Sequence, residues 1–273
     1  MGNTGRVPKL ETRRPAGPGG DADLASAAAL IAEPARARIL LALSDGRALP
    51  ASVLAGEAGL SGPATTNHLN RLLDGGMVTV EASGRHRYYR LAGPHVAVVL
   101  EALASIAPTH PVRSLRQDTQ AARLRQARSC YDHLAGRLGV AVTAGLLDHQ
   151  VLVANDGVND TIRREGERYA APVPHHPYTL GPRAHRVLAD FGVDLDDLLD
   201  APRAARPLLR FCVDWTEQRH HLAGRLGAAV LTALGERKWI VRHPEGRSIR
   251  LTPDGAVALR RHLGIDVDLQ PVS

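Results

Sequence analysis

The sequence is poor in cysteine, lysine and aromatic residues. Cys130 and Cys212 are the two cysteines of 273 residues, too few for a disulfide framework, so a reducing cytoplasm is the expected home. Lysine occurs at Lys9 and Lys238 alone, and the 34 basic side chains are otherwise arginine. No apolar run approaches ~18 residues, which excludes a membrane-spanning helix. No charged start leads into an apolar core and a small-residue cleavage site, so a secretory leader is not expected. The sequence also lacks a Gly-x-Ser-x-Gly elbow, a His-Glu-x-x-His pair, a phosphate loop ending in Lys-Ser/Thr and a dinucleotide glycine fingerprint. Those absences argue against an enzyme.

What is present is a globular composition, 44% hydrophobic and 23% charged, with length enough for two domains. The net charge of +6 is unevenly placed. Residues 111–130 hold five arginines (Arg113, Arg116, Arg123, Arg125, Arg128) against one acid, Asp118, while residues 131–273 balance. A basic front before a neutral rear suggests an anionic partner, although a solvated helix face would read the same way.

Residues 1–20 read as a disordered tail. From there Asp21 or Asp23 caps a short alanine-rich helix, and Pro34 opens a second with Ala35, Ile39 and Leu43 on one face. Pro50 opens a third, carrying Val53, Leu54 and Ala58 and closed by Gly59. Ser61 is placed to cap a fourth, Gly62 to Asp74, with Leu69, Leu72 and Leu73 inward. A strand from Met77, a turn at 82–85 and a return strand His86–Leu91 then make a β-hairpin. Four helices and a hairpin in that order are a winged helix-turn-helix. A further helix, Pro94 to about Ala107, is apolar almost all round and needs cover on more than one side, which implies a homodimer.

The rear half contains a repeat. His133–Val142 returns as His221–Val230 with nine of ten residues identical, Cys130 and Asp132 being answered by Cys212 and Asp214. Each unit, about 129–200 and 208–270, reads as helix, strand, loop, strand, helix. Residues 155–177 form a long irregular excursion in the first. The expected fold class is therefore mainly α with small β-hairpins: a winged helix-turn-helix at 21–107, a basic linker or helix at 108–128, and a module of two winged-helix-like repeats at 129–273.

Three blocks carry a family resemblance: Pro34–Leu43, Leu60–Leu73 with Gly75–Val78, and Gly84–Leu91. In that order they resemble the ArsR family of winged-helix transcription regulators, over about residues 22–107. The rear half resembles the extension of a longer subgroup. The resemblance implies a cytoplasmic homodimer that binds an inverted repeat in double-stranded operator DNA and is released by a signal. The cysteine pair of metal-sensing members would fall around Ala51–Leu54, where this chain has none. His95, Glu101 and His110 do not share a helical face well, so the usual metal sites are not expected.

The winged helix offers a DNA reader. On the fourth helix Gly62, Thr66, Asn67 and Asn70 face outward, with Thr65 and His68 at the margin. Asparagine pairs with adenine and a threonine methyl meets the thymine methyl. Ser61 and the helix N-terminus can hold a phosphate, and so can Arg71 and the wing residues Arg85, His86 and Arg87. Of Tyr88 and Tyr89, strand alternation turns one inward. Thr65 stands where the family has an apolar residue, which would rotate the helix or alter its base contacts.

In the rear module Cys130, Tyr131, His133, Cys212, Trp215 and His221 are the candidate effector residues. They leave three readings open. The cysteines are small buried residues with His and Asp pairing to fix helix ends. A small-molecule pocket lies between the repeats, lined by Tyr131, His133, Trp215 and His221. Or two thiolates and two imidazoles hold zinc or another transition metal, in number enough for a tetrahedron. A different class of function, an enzyme or ligand-binding protein whose winged helices mediate protein contacts, also stands open.

Overall fold

The computed structural model describes residues 22–83, 86–107, 122–165, 167, 173, 177–200, 202, 206–243 and 247–266. The expected tail, Arg85 at the wing tip, the linker as far as residue 121 and His175–His176 lie outside the described residues.

Helix α1 (Leu24–Ala32) is capped by Asp23, which accepts from the Ser26 amide, and α2 (Pro34–Ala42) by Glu33, which accepts from the Arg36 amide. The Arg36 side chain is itself buried. Its guanidinium donates to the Ala29 and Leu30 carbonyls, both at 2.6 Å, filling acceptors that the end of α1 leaves open. The expected inner face Ala35, Ile39 and Leu43 is buried throughout.

A short strand β1 (Leu49–Pro50) follows, then α3 (Ala51–Ala58), α4 (Gly62–Asp74), the hairpin β2 (Val78–Ser83) and β3 (His86–Leu91), and α5 (Pro94–Ile106). Strand β1 pairs antiparallel with β3, Leu49 opposite Tyr89, giving a three-stranded sheet in the order β1-β3-β2. Two residues, one of them proline, show no alternation, so this strand was not legible. Pro50 therefore precedes α3 as its cap residue instead of opening it, and Val53 turns outward, 40% exposed. The core beneath is Leu40 and Leu43, Leu54, Leu69 and Leu72, Val78 and Tyr89.

The chain then makes a helical turn at 122–126 and enters the rear half one residue earlier than expected. Here the structure corrects the sequence reading. Each unit opens on a β-hairpin, not a helix. In the first, β4 (Arg128–Cys130) and β5 (His133–Ala135) lead to α6 (Gly136–Asp148), β6 (Leu152–Ala154), β7 (Tyr178–Leu180), α7 (Ala184–Phe191) and α8 (Leu195–Leu199). In the second, β8 (Arg210–Val213) and β9 (His220–Ala223) lead to α9 (Gly224–Glu236), β10 (Ile240–Arg242), β11 (Ile249–Leu251) and α10 (Pro253–Leu263). Both units share one core, in which Leu138 and Val142 meet Phe211, Leu226 and Leu234.

The repeated glycine explains the misreading. Gly136 and Gly224 adopt φ of +76° and +78°, where the strand of the His-Leu-Ala block breaks sharply into helix. A Cβ at these positions would lie 2.7 Å from the Arg125 carbonyl oxygen and 2.6 Å from that of Leu208. Gly224→Ala is expected to cost at least about 1–2 kcal/mol from left-handed backbone strain alone. A urea midpoint equal to the parent's would show that the turn relaxes and the glycine is dispensable.

Front and rear halves meet at specific atoms. The Tyr131 amide donates to the Ser44 carbonyl at 2.7 Å just beyond α2, and the Tyr131 ring joins the winged-helix core. Glu101 of α5 is buried against two rear-half arginines, paired with Arg247 and 3.8 Å from Arg128. Within the rear half, the Tyr178 hydroxyl lies 2.7 Å from both the Asp160 carbonyl and His220 Nδ1, tying the 155–177 excursion to the second unit.

Candidate functional site

Two features carry the chemistry: the exposed side of α4 with the wing, and a buried cluster in the rear half.

Leu69 and Leu72 anchor α4 in the core, and 3.6-residue periodicity turns Gly62, Thr66, Asn67, Asn70 and Arg71 to solvent. Ser61 occupies the cap position, but its side chain makes no cap bond; its carbonyl accepts from both the Thr65 amide and the Thr65 hydroxyl at 2.9 Å. That removes Thr65 from the outward set. It is fully buried, its hydroxyl satisfied within the helix. Threonine thus fills the apolar position the resemblance demands, and the helix needs no rotation.

His68 is also diverted. It is half-buried, its Nδ1 3.3 Å from Glu33 Oε2 at the start of α2. On the wing, His86 and Arg87 are exposed, Tyr88 is half-buried and Tyr89 is the inward tyrosine, with the Arg87 guanidinium 5.8 Å from its ring centroid. Ser83 stands opposite His86 at the end of the β2–β3 pairing.

The rear cluster comes from the two hairpins that open the repeats. Cys130 pairs across β4–β5 with His133, and Cys212 across β8–β9 with His221. Cys130 and His133 are therefore partners across a tight turn, not residues one helical turn apart. The hairpins face each other so that His133 Nε2 lies 3.2 Å from His221 Nε2, the rings stacked with centroids 5.1 Å apart. Ligand atoms of Cys130, His133 and His221, all buried, fall within 4.8 Å of one another. The neighbouring Cys212 and burial together push the Cys130 thiol well above its ordinary pKa.

Carboxylates back both imidazoles. Asp132 Oδ1 is 3.3 Å from His133 Nδ1, and Asp214 Oδ2 is 3.6 Å from His221 Nδ1. Burial pushes the His221 pKa down against the pull of Asp214, with His133 and Arg128 adding to the effect. Asp214 is held well below the usual carboxylate range: burial opposes this, but the Arg128 guanidinium at 3.0 Å, His221, the Thr216 hydroxyl and the Gly136 amide together outweigh it. Two effector candidates stand apart from this constellation. Tyr131 turns into the winged-helix core, and Trp215 lies under Arg128, 4.8 Å from the guanidinium carbon to the ring centroid.

Comparison with known proteins assigns the chain. A helix-turn-helix domain family matches residues 31–81. YdfF, an uncharacterized HTH-type transcriptional regulator of Bacillus subtilis (strain 168), is 37% identical over 245 residues, which is 90% of this chain and 99% of that protein. The chain belongs to the HTH-type transcriptional regulators. At 90% of this chain, the match to YdfF takes in most of the rear half as well as the winged helix. The HTH-type regulator CmtR of Mycobacterium tuberculosis (strain H37Rv) is 40% identical over 76 residues, 28% of this chain and 64% of CmtR. A solved homodimeric winged helix-turn-helix DNA-binding domain from Mycobacterium bovis, of a possible ArsR-family regulator, is 27% identical. It covers 32% of this chain and 86% of its own, with a TM-score of 0.28.

Ala51 to Leu54 at the start of α3 offer no thiolate, and His95 is exposed while Glu101 is committed to Arg247. His110 lies outside the described residues. No helix among the described residues is long and apolar enough to cross a membrane.

Proposed function

We propose that this regulator is a homodimeric repressor whose residues 21–107 read an inverted-repeat operator and whose residues 129–273 sense the signal that releases it. The observation that carries the reading is the exposed row Gly62, Thr66, Asn67, Asn70 and Arg71 over a fully buried Leu69–Leu72 side. A helix so anchored presents its first turns to the major groove, where the two asparagines are suited to adenine and Arg71 to phosphate. Arg87 and His86, with Arg85 from the sequence, add backbone contacts along the neighbouring phosphates. A chain devoted to transcriptional regulation, without a familiar catalytic motif, is read as a non-enzyme.

Dimerisation is supported by α5, where Val99, Leu103 and Ile106 remain 45%, 41% and 75% exposed at i, i+4 and i+7. Two copies packed on this stripe place two reading helices on one face of DNA. Selection from a random double-stranded pool at moderate salt is expected to enrich an inverted repeat with half-sites about one helical turn apart. Asn67→Ala is expected to relax the preferred base at one position by about 1–3 kcal/mol, whereas Arg87→Ala weakens all sequences alike. A pool that shows no enrichment, or an Asn67→Ala protein with unaltered preference, would refute the assigned surface.

A further inference from the structure

The buried cluster between the repeats does not belong to the DNA-reading surface, and its geometry is that of a metal centre. Three pairings build it: Cys130 stands opposite His133 across β4–β5, His133 Nε2 meets His221 Nε2 at 3.2 Å, and His221 stands opposite Cys212 across β8–β9. Two imidazole nitrogens bound to one tetrahedral zinc at about 2.0–2.1 Å stand about 3.3 Å apart, which is the spacing found here. The cysteine–histidine group Cys130, His133 and His221 also has its ligand atoms within 4.8 Å of one another. His133 turns its other nitrogen to Asp132 at 3.3 Å, as metal-ligating histidines do, while His221 Nδ1 is buried without a hydrogen bond, 3.6 Å from Asp214.

The electrostatics point the same way. The Asp132 carboxylate favours a proton on His133 Nδ1, which turns the His133 Nε2 lone pair toward His221 Nε2 in a buried space. A cation between them, or a proton on His221 Nε2, satisfies that lone pair. Two thiols complete the set.

We propose that Cys130, His133, Cys212 and His221 form a closed tetrahedral site for a zinc-type divalent ion, clamping the opening hairpins of the two repeats together. Binding forms two metal–sulfur and two metal–nitrogen bonds and sends the two thiol protons to solvent. A dication with two thiolates is neutral, as a buried site requires. The ion sits against the winged helix on two sides. The Cys130–His133 turn carries Tyr131, whose amide holds the Ser44 carbonyl at 2.7 Å, and Asp214 leads through Arg128 to Glu101 of α5. Occupancy therefore sets the position of α2 and α5, a consequence that rests on the DNA-binding reading above.

The test is titration of the reduced, chelator-stripped full-length protein with cobalt(II), followed by displacement with zinc. One equivalent per chain, with the intense visible bands of tetrahedral cobalt and a thiolate charge-transfer band, is expected. Cys130→Ser and Cys212→Ser are each expected to weaken cobalt by more than the roughly 10- to 100-fold that loss of an outer-shell partner costs. Circular dichroism checks that each variant folds. The parent protein alone suffices to overturn the site: weak octahedral bands, no stoichiometric uptake, or a Cys130–Cys212 disulfide formed by a protein that takes up no metal when reduced. A Cys212→Ser protein that binds as the parent does also overturns the four-ligand assignment. Affinity for the selected operator is then compared with and without zinc. A tenfold change supports the coupling to α2 and α5, and equal affinities overturn it. Loss of DNA binding in both states counts against the DNA-binding reading, while the cobalt titration still decides the site.

Discussion

Replacing Asp214 with alanine is expected to cost the fold about 3–5 kcal/mol, because it strands a charge in the interior. Asp214 and Arg128 are both fully buried. The carboxylate accepts from Arg128 at 3.0 Å, from the Gly136 amide at 2.7 Å, and from the Thr216 amide and hydroxyl at 2.9 and 2.6 Å. One side chain therefore joins the turn of the second hairpin to the helix start of the first repeat. Asp214→Asn keeps the shape and some of these bonds, and its expected cost is smaller, about 1.5–3 kcal/mol for hydrogen bonds that lose a charged partner. The folded-state pKa of Asp214 is depressed, so its contribution is complete at neutral pH. It is lost progressively as the pH falls from the ordinary carboxylate range down through that depressed value. Urea denaturation of the full chain at neutral pH measures the effect. A loss below about 1 kcal/mol would mean that Arg128 transfers its charge to Glu101, 3.8 Å away, and that the network is redundant.

The second large effect concerns assembly. Leu103→Glu with Ile106→Glu is expected to convert the dimer into a monomer and to lower operator affinity by about 100-fold or more, since one reading helix then binds without its tethered twin. Both side chains are exposed on α5, so the charges leave the core of the single chain intact. Light scattering gives the mass and a DNA titration the affinity. A dimer that survives the double substitution would shift the interface to α1, which has no buried residue and holds Leu24 at 77% exposure.

Much of the front half was legible because its signals are local. Pro34 at a first helical position, Gly59 in the left-handed region and the period of Leu69 and Leu72 each report a backbone state that their own side chains dictate. The reading went astray where a local signal had two solutions. Thr65 is polar and sits near the outward arc of α4, yet its hydroxyl is satisfied by the Ser61 carbonyl, so burial costs it nothing. His68 was placed beside the outward row, but Glu33, more than thirty residues earlier, draws it away. In the rear half the His-Leu-Ala-Gly-Arg-Leu-Gly block has helical composition, and its first three residues become strand because each opens against a partner strand.

By itself the sequence determined the winged helix, the duplication and the residue types of the cysteine–histidine set. Periodicity, glycine conformation and repetition are properties of neighbouring residues, and a chain carries them whether or not it is folded. The tertiary structure alone decided that His133 and His221, eighty-eight positions apart, would meet at 3.2 Å with Cys130 beside them, and that Glu101 would lie against two arginines of the rear half. Those meetings follow from packing two like units around one apolar core, which brings equivalent hairpins face to face. Spacing along a chain carries no information about that approach.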